Sequence, residues 1–249
     1  MKSALIITDN PEAFTLKFLR ETLERASYKV LLSELPGAAD LVINRNFGMD
    51  YSDDDLDALE KSGLQTLNPV SAQRICRDKW KQFLWAREQG LKLLPTSQLK
   101  DWVPASGKCW VLKTVRGMQG RGVSFHNSSE DLQERAKLLK DARYIVQEKF
   151  LFKKEIRSYH IGEEVFWFEK SGGNLYQGGE AKALKKVDAP LEQTARHIQK
   201  ELGLRLAAFD FLIGDDIYPV DLNCYPGLVL VQNQGKVLEN MLKGCLKEF

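Results

Sequence analysis

The stretch from Ala208 to Gly227, AFDFLIGDDIYPVDLNCYPG, constrains this chain more than any other. Two apolar runs, Ala208–Ile213 and Ile217–Leu222, flank Gly214-Asp215-Asp216, a composition that predicts a β-hairpin. Asp210 lies within the first run. Asp221 and Asn223 lie two apart at the end of the second, so their side chains point to one face. Charge inside an apolar hairpin is costly unless it is paired or bound to metal. Two carboxylates and an amide are hard oxygen donors that suit Mg2+, which completes its shell with water and phosphate oxygens. A hairpin whose polar residues face solvent fits the same letters, because D-x-N is a weak pattern. Both structures stay open on this stretch alone.

At 249 residues the chain can form one large domain or two to three small ones around a real core. A formal charge of +2 gives no field that would draw nucleic acid or an anionic membrane, so neither partner is expected. Cys76, Cys109, Cys224 and Cys245 form no C-x-x-C pair, and the apolar run after Met1 is too short for a secretory segment. Reduced thiols in a cytoplasmic protein are expected. Nowhere do eighteen apolar residues follow one another.

Ser3–Thr8 is a continuous apolar run, as in a parallel strand covered on both faces. A helical pattern from Pro11 to about Ala26, strands at Tyr28–Leu32 and Leu41–Ile43, a helix at Asp53–Lys61 and a strand at Leu64–Leu67 follow. This alternation predicts a small α/β layer. Arg45, in Asn44-Arg-Asn-Phe-Gly48, follows its third strand, where open α/β sheets bind ligands. It is a candidate grip for a substrate carboxylate, or a surface arginine. Asn68-Pro69 then reads as a cap and first turn of a helix running to about Gln89. Pro95 begins a second region.

Trp110–Val123, WVLKTVRGMQGRGV, places Lys113 in an apolar strand and Gly117, Gln119, Gly120, Arg121 and Gly122 in the loop after it. Glycines let backbone N–H groups approach phosphate oxygens. The loop lacks the G-x-x-x-x-G-K-[ST] pattern, and a strand rather than a helix follows it, which excludes a P-loop and a Rossmann turn. A hairpin folded over phosphates and a simple flexible tip both fit. Glu130–Lys140 is an amphipathic helix, and Tyr144–Leu151 a strand leaving into a hinge that could offer its backbone to an adenine edge. Ile156–Ile161 and Val165–Glu169 form a hairpin with Glu155, Arg157 and Lys170 near its ends. A polar loop from Ser171 to Gly179, a helix at Ala189–Leu202 and a closing helix at Gln234–Lys247 complete the chain. His126, His160 and His197 have no metal-site spacing, and Cys224 has no adjacent base. Lys182, Lys185 and Lys186 are a solvated face or a grip for an acidic acceptor.

In this order, Asn44–Gly48, Asn68-Pro69, Arg77-Asp-Lys79, Val111–Val123, Val146-Gln-Glu148, Glu155-Ile-Arg157, Asn174 with Gly178-Gly179, Asp210 and Asp221–Gly227 resemble the ATP-grasp superfamily. Within it they are similar to the RimK-like carboxylate–amine ligases, over nearly the whole chain. The resemblance implies an α/β (α+β) ATP-grasp fold. A parallel N-terminal domain would occupy residues 1–70 and the ATP-grasp domain 71–249, divided into a lid (92–148) and an antiparallel C-terminal subdomain (149–249). It implies that Lys79 and Lys113 hold the phosphates of ATP beneath a lid of Gly117, Gln119, Gly120 and Gly122. Glu148, Lys149, Phe150 and Leu151 would bind adenine, mostly through backbone, and Glu155 would accept from the ribose. Asp210, Asp221 and Asn223 would hold Mg2+, or Mn2+ in its place. Arg157, Lys170 and Asn174 would stand near the reacting groups. The implied partners are a carboxylate and an amine, as small molecules or peptides, with a homo-oligomer also open. The implied chemistry is amide formation through an acyl phosphate; a kinase or a silent nucleotide-binding module on the same fold are the alternatives. Two positions depart from the pattern: Gln177 stands where close relatives often have Arg, and Asp221 where many have Glu.

Overall fold

The computed structural model describes residues 2–8, 14–33, 37–45, 52–117, 122–139, 143–172, 179–228, 230–231 and 234–247. Strand β1 (Lys2–Ile7) pairs in parallel with β2 (Tyr28–Ser33) and β3 (Leu41–Asn44), in the order β2-β1-β3. Helix α1 (Phe14–Arg25) makes the crossover, and α2 (Asp53–Lys61) follows β3. Ala4 and Ile6 point into the main core, while Leu5 and Ile7 point into a smaller cluster with Val42 and Leu59. Both faces of β1 are therefore covered, which is why its sequence does not alternate. The strand expected at Leu64–Leu67 is reduced to one parallel bridge between Val42 and Thr66. Strand β3 is short, and the next residue, Asn68, is drawn away into the C-terminal sheet.

Asn68 is fully buried and works as a bracket. Its amide nitrogen donates to the carbonyls of Leu206 (2.8 Å) and Cys224, and its oxygen accepts from the backbone of Arg205 (2.8 Å) and Leu206 (3.2 Å). The helix expected from Pro69 to Gln89 is broken in two, α3 (Val70–Cys76) and α4 (Lys79–Glu88). Asp78 adopts an extended backbone, φ −130° and ψ 109°, and accepts from the amides of Trp80 and Lys81, so it caps a new helix. Lys79 thereby becomes the first residue of α4.

A four-stranded sheet is antiparallel, in the order β4 (Thr96–Gln98), β7 (Tyr144–Glu148), β5 (Trp110–Thr114), β6 (Val123–His126). Helix α5 (Ser129–Lys137) covers one face, burying Leu132 against Trp110, Leu112 and Val146. The C-terminal sheet is antiparallel in the order β10 (Glu180–Leu184), β9 (Glu164–Ser171), β8 (Lys154–Ile161), β11 (Leu206–Ile213), β12 (Ile217–Asn223). Strands β4 and β10 escape sequence reading for a physical reason. Thr-Ser-Gln carries no apolar alternation, and Glu-Ala-Lys-Ala-Leu is made of helix formers. Each is a strand only because a sheet edge accepts it. Pro219 is tolerated in β12 because β12 is itself an edge.

The main core joins the parallel layer to the C-terminal sheet: Ile6, Leu19 and Leu41 belong to the same cluster as Phe209, Phe211 and Leu242. Burying each such large side chain contributes about 1.5–3 kcal/mol. The four-stranded sheet has its own small cluster. Helix α6 (Ala189–Glu201) covers the back of the C-terminal sheet, and α7 (Gln234–Lys247) lies against α1. Among the described residues, no helix is long and apolar enough to cross a membrane.

Two predictions follow from these buried polar groups. Asn68→Ala leaves four backbone groups without partners, and we expect it to destabilise the protein by roughly 3–5 kcal/mol in urea unfolding. His160, hydrogen-bonded to Gln199 (2.8 Å) and Ser158 (3.0 Å), is held down to about 4 by burial, which outweighs the Gln199 contact. Its folded value lies below the usual 6.5, so its contribution is complete above pH 6.5 and is lost as pH falls toward 4. The loss is on the order of 3 kcal/mol. Urea titrations of wild type and His160→Gln between pH 7 and 4 check this: the variant should lose less stability on acidification.

Candidate active site

The cross-strand register of the C-terminal sheet assembles a row of charge. Asp210 on β11 lies opposite Arg157 on β8 and opposite Asp221 on β12, and Glu155 lies opposite Lys170 on β9. Directly opposed residues share a face, so all five project from the same side. Arg157 Nη1 donates to both oxygens of Asp210, at 2.9 and 3.1 Å, and both residues are buried. Lys170 Nζ pairs with Glu155 and lies 3.7 Å from Asp210. Burial opposes the charge of Arg157, yet Asp210 beside it holds the guanidinium firmly protonated, and among the described residues its buried Nε meets no acceptor.

A β-bulge decides where the second carboxylate points. Phe211 pairs with Pro219 and Asp210 with Asp221, which leaves Val220 as the extra residue. Tyr218 shares the face of Asp210, since it lies opposite Leu212. Strict alternation from Tyr218 would send Asp221 to the back of the sheet, and the bulge turns it to the front. Asn223 follows two residues later on that same face, with Oδ1 accepting from the amide of Tyr225 (3.0 Å). Gln82 on α4 seats the strand: it accepts from the amide of Leu222 (3.0 Å) and donates to its carbonyl (3.1 Å).

Two lysines face this row from the other side. Lys79 Nζ is 3.4 Å from Asp221 and donates to the carbonyl of Gly117 (3.1 Å). Lys113 on β5 lies opposite Ile145, on the face not covered by α5. The cleft between the two antiparallel sheets is lined by Lys79, Lys113, Ile145, Gln147, Asp221 and Leu222. Burial, then repulsion from Lys79, lowers Lys113 to about 8 against the pull of Asp221 and Glu155. Burial works to raise the Asp221 carboxyl, and Lys79, Arg157 and Lys113 outweigh it and keep it below the ordinary carboxylate range. Gly122 closes the hairpin at φ +74°, and a Cβ there would lie 2.4 Å from Thr114 Oγ1, so only glycine fits.

The remaining expected residues divide. Glu148 lies opposite Trp110, which is buried under α5, so its side chain faces away from the cleft and pairs with Lys108. Only its backbone is available to a ligand. The amide of Lys149 is already committed to the carbonyl of Cys109 (2.8 Å). Phe150 packs edge-on against Tyr218 at 4.9 Å, and Leu151 is 88% exposed, so the two do not form one apolar wall. Glu155, expected to meet a ribose, is occupied by Lys170. Arg45 donates to the carbonyl of Tyr225 (2.5 Å), which ties β3 to the segment after Asn223. Gln119, Gly120, Asn174 and Gln177 lie outside the described residues. Gln82 was not singled out by sequence; a polar residue inside an apolar pattern is its only signal. Asn68, expected as a helix cap, instead spends its side chain on the C-terminal sheet, and Pro69 stands at the cap.

The donor set fits a divalent cation in its chemistry. Asp210 and Asp221 stand opposite each other with Asn223 on the same face, three hard oxygen ligands beside four cations suited to phosphate.

No protein-family model matches the sequence, and no curated protein matches it. Solved structures do match. A RimK domain ATP-grasp protein from Sphaerobacter thermophilus superposes with a TM-score of 0.74 at 15% identity, covering 97% of this chain and 98% of its own. The D-alanine–D-alanine ligase of Bacillus anthracis gives 0.72 at 15%, covering 99% and 96%. The ATP-grasp ligase PsnB, solved with Mg, ADP and a variant of its minimal precursor, gives 0.69 at 16%, covering 97% and 98%. This chain has the ATP-grasp fold.

The lowered Lys113 can be seen directly. We expect one lysine to titrate near pH 8 in NMR spectra of lysine-labelled protein, with its signal missing in Lys113→Met. A lysine set that titrates only near pH 10.5 would contradict the geometry of the cleft.

Proposed function

We propose that this chain is an ATP- and Mg2+-dependent carboxylate–amine ligase, forming an amide through an acyl phosphate on an amino acid, a peptide or a protein tail. What carries the reading is the convergence, in an ATP-grasp fold, of Lys79 and Lys113 from the cleft and Arg157 and Lys170 from the sheet upon the face that carries Asp210, Asp221 and Asn223. Four cations against three acidic side chains there, Glu155, Asp210 and Asp221, leave a surplus of positive charge for a polyanion.

Each residue then has a task. Lys113 and Lys79 bind phosphate oxygens, and Lys79 must turn from Asp221 and the Gly117 carbonyl to do so. Arg157, oriented by both oxygens of Asp210, offers its orphaned Nε to the charge that develops on the transferred phosphoryl group. Lys170 stands beside it, with Asn174 assigned to the acyl phosphate. Asp210, Asp221 and Asn223 would hold Mg2+, which supplies charge neutralisation when bound. Gly117, Gln119, Gly120 and Gly122 are assigned to the phosphates, and the backbone from Glu148 to Leu151 to the base. Arg45, which donates to the Tyr225 carbonyl, is assigned to the carboxylate substrate. Little general base catalysis is needed in the first step; positioning and electrostatics do most of it. The domains follow as 1–70 and 71–249.

Amino acids and short peptides, screened in pairs for ADP and phosphate release, test this. Release that requires both a carboxylate and an amine supports ligation. Phosphate carried onto a stable product indicates a kinase instead, and ATP binding without turnover a binding module. We expect Asp221→Ala and Asn223→Ala each to reduce turnover by about 10²–10³-fold while the far-UV spectrum stays native. EDTA should abolish activity, and excess Mg2+ should restore it. Turnover unchanged in both variants removes the metal assignment.

A further inference from the structure

Asp53 is the first residue of α2, directly after the cap Ser52, and nothing in the reaction uses it. Its carboxylate nevertheless gathers three cations from other parts of the chain. Arg116 Nη2 lies 2.8 Å from Oδ2, Lys81 Nζ 3.7 Å from Oδ2, and Arg77 Nη1 3.9 Å from Oδ1. Arg77, whose side chain is only 4% exposed, also donates to the carbonyl of Ser52 (3.0 Å). Burial works to raise the Asp53 carboxyl; Arg116, Lys81 and Arg77 outweigh it and hold it below the usual range.

All three cations flank Lys79 in the chain or belong to the segment that bonds it. Arg77 and Lys81 lie two residues before it and two after it. Arg116 sits between Val115, whose carbonyl accepts from the amide of Lys79 (2.9 Å), and Gly117, whose carbonyl accepts from its ammonium (3.1 Å). Residues 115–117 thus grip Lys79 at both its backbone and its tip, and Arg116 fastens that grip to the parallel layer. The strand exit is fixed from behind, where the Val115 amide donates to the Arg143 carbonyl (2.8 Å).

We propose that Asp53 is a positioning residue for the phosphate site: through Arg116, Arg77 and Lys81 it sets where Lys79 stands in the cleft. The layer that carries Arg45 is then mechanically joined to the nucleotide-binding lysine. This rests on Lys79 being a nucleotide ligand, as proposed above.

A partly exposed ion pair contributes little to global stability. Positioning and mere structure therefore separate in the readout. Calorimetric titration with Mg·AMP-PNP is run on wild type, Asp53→Asn, Asp53→Glu, Lys79→Met and the Asp53→Asn/Lys79→Met double variant, with thermal melts in the absence of nucleotide. Asp53→Asn is expected to weaken binding about five- to tenfold, with Asp53→Glu within about twofold of wild type. The melting midpoint should move by no more than about 2 °C. The double variant should bind as Lys79→Met does, because the effect of Asp53 passes through that lysine. Wild-type affinity in Asp53→Asn overturns the proposal, as does the same factor persisting in the Lys79→Met background. If Asp53→Asn does not fold, Arg116→Gln breaks the same link and is held to the same outcomes. A wild type that fails to bind Mg·AMP-PNP overturns the nucleotide reading, and this proposal with it.

Discussion

Two carboxylates cannot remain ionised on an apolar sheet unless cations stand within reach, and that condition organises this molecule. Asp210 is satisfied by Arg157 on the neighbouring strand β8 and by Lys170 on β9, one strand further across the same sheet. Asp221 is satisfied from outside the sheet, by Lys79 at the start of α4, with Lys113 on β5 beyond it. The cluster is mutually dependent. Removing one partner leaves an uncompensated charge, which is far costlier than the pair is favourable. Lys79 is held by Asp221 and by the Gly117 carbonyl, and Lys170 by Glu155. A phosphate chain would compete for partners that are already oriented, which lowers the cost of ordering them on binding.

The charge row depends on a second, neutral constraint. Strand β12 is an edge strand with a proline and a bulge, a poor platform for rigid side chains. Two buried amides compensate. Gln82 closes both backbone bonds of Leu222, between Asp221 and Asn223, and Asn68 holds the Cys224 carbonyl just beyond them. Asn68 is in turn linked by its carbonyl to Gln73, which accepts from Asn44 at the end of β3. A chain of side-chain amides therefore runs from the parallel layer to the strand that carries Asp221. Asn68, Gln73 and Gln82 are each satisfied at both ends of the amide, which is the condition under which polar groups rigidify a core rather than weaken it.

Much of the fold was legible because local pattern and tertiary use coincide. The closing helix at Gln234–Lys247, the helix at Asp53–Lys61 and the hairpin about Gly214 stand where periodicity and turn chemistry put them. The candidate site was legible as a set of residue types in order: Lys79, Lys113, Arg157, Lys170, Asp210, Asp221 and Asn223 are brought to one cleft. Illegible were the elements whose identity depends on neighbours. Strand β10 has a helical composition, and the helix after Asn68 looked continuous because Asp78 caps only if the backbone first turns aside. Glu148 belonged to a motif, yet its side chain points away, since pairing with Trp110 fixes its face.

By itself, the sequence determined the apolar runs that become strands, the glycine that alone fits at Gly122, and the carboxylates and amide that must find cations. These are local matters of sterics, periodicity and charge. Tertiary structure decided which face each group occupies and which cation it meets. The Val220 bulge turns Asp221 forward, the Asp78 cap sets Lys79 at a helix start, and Asp53 reaches Arg116 across the fold. Register, helix breaks and long-range ion pairs are settled by partners distant in the chain, so no local reading of the residues contains them.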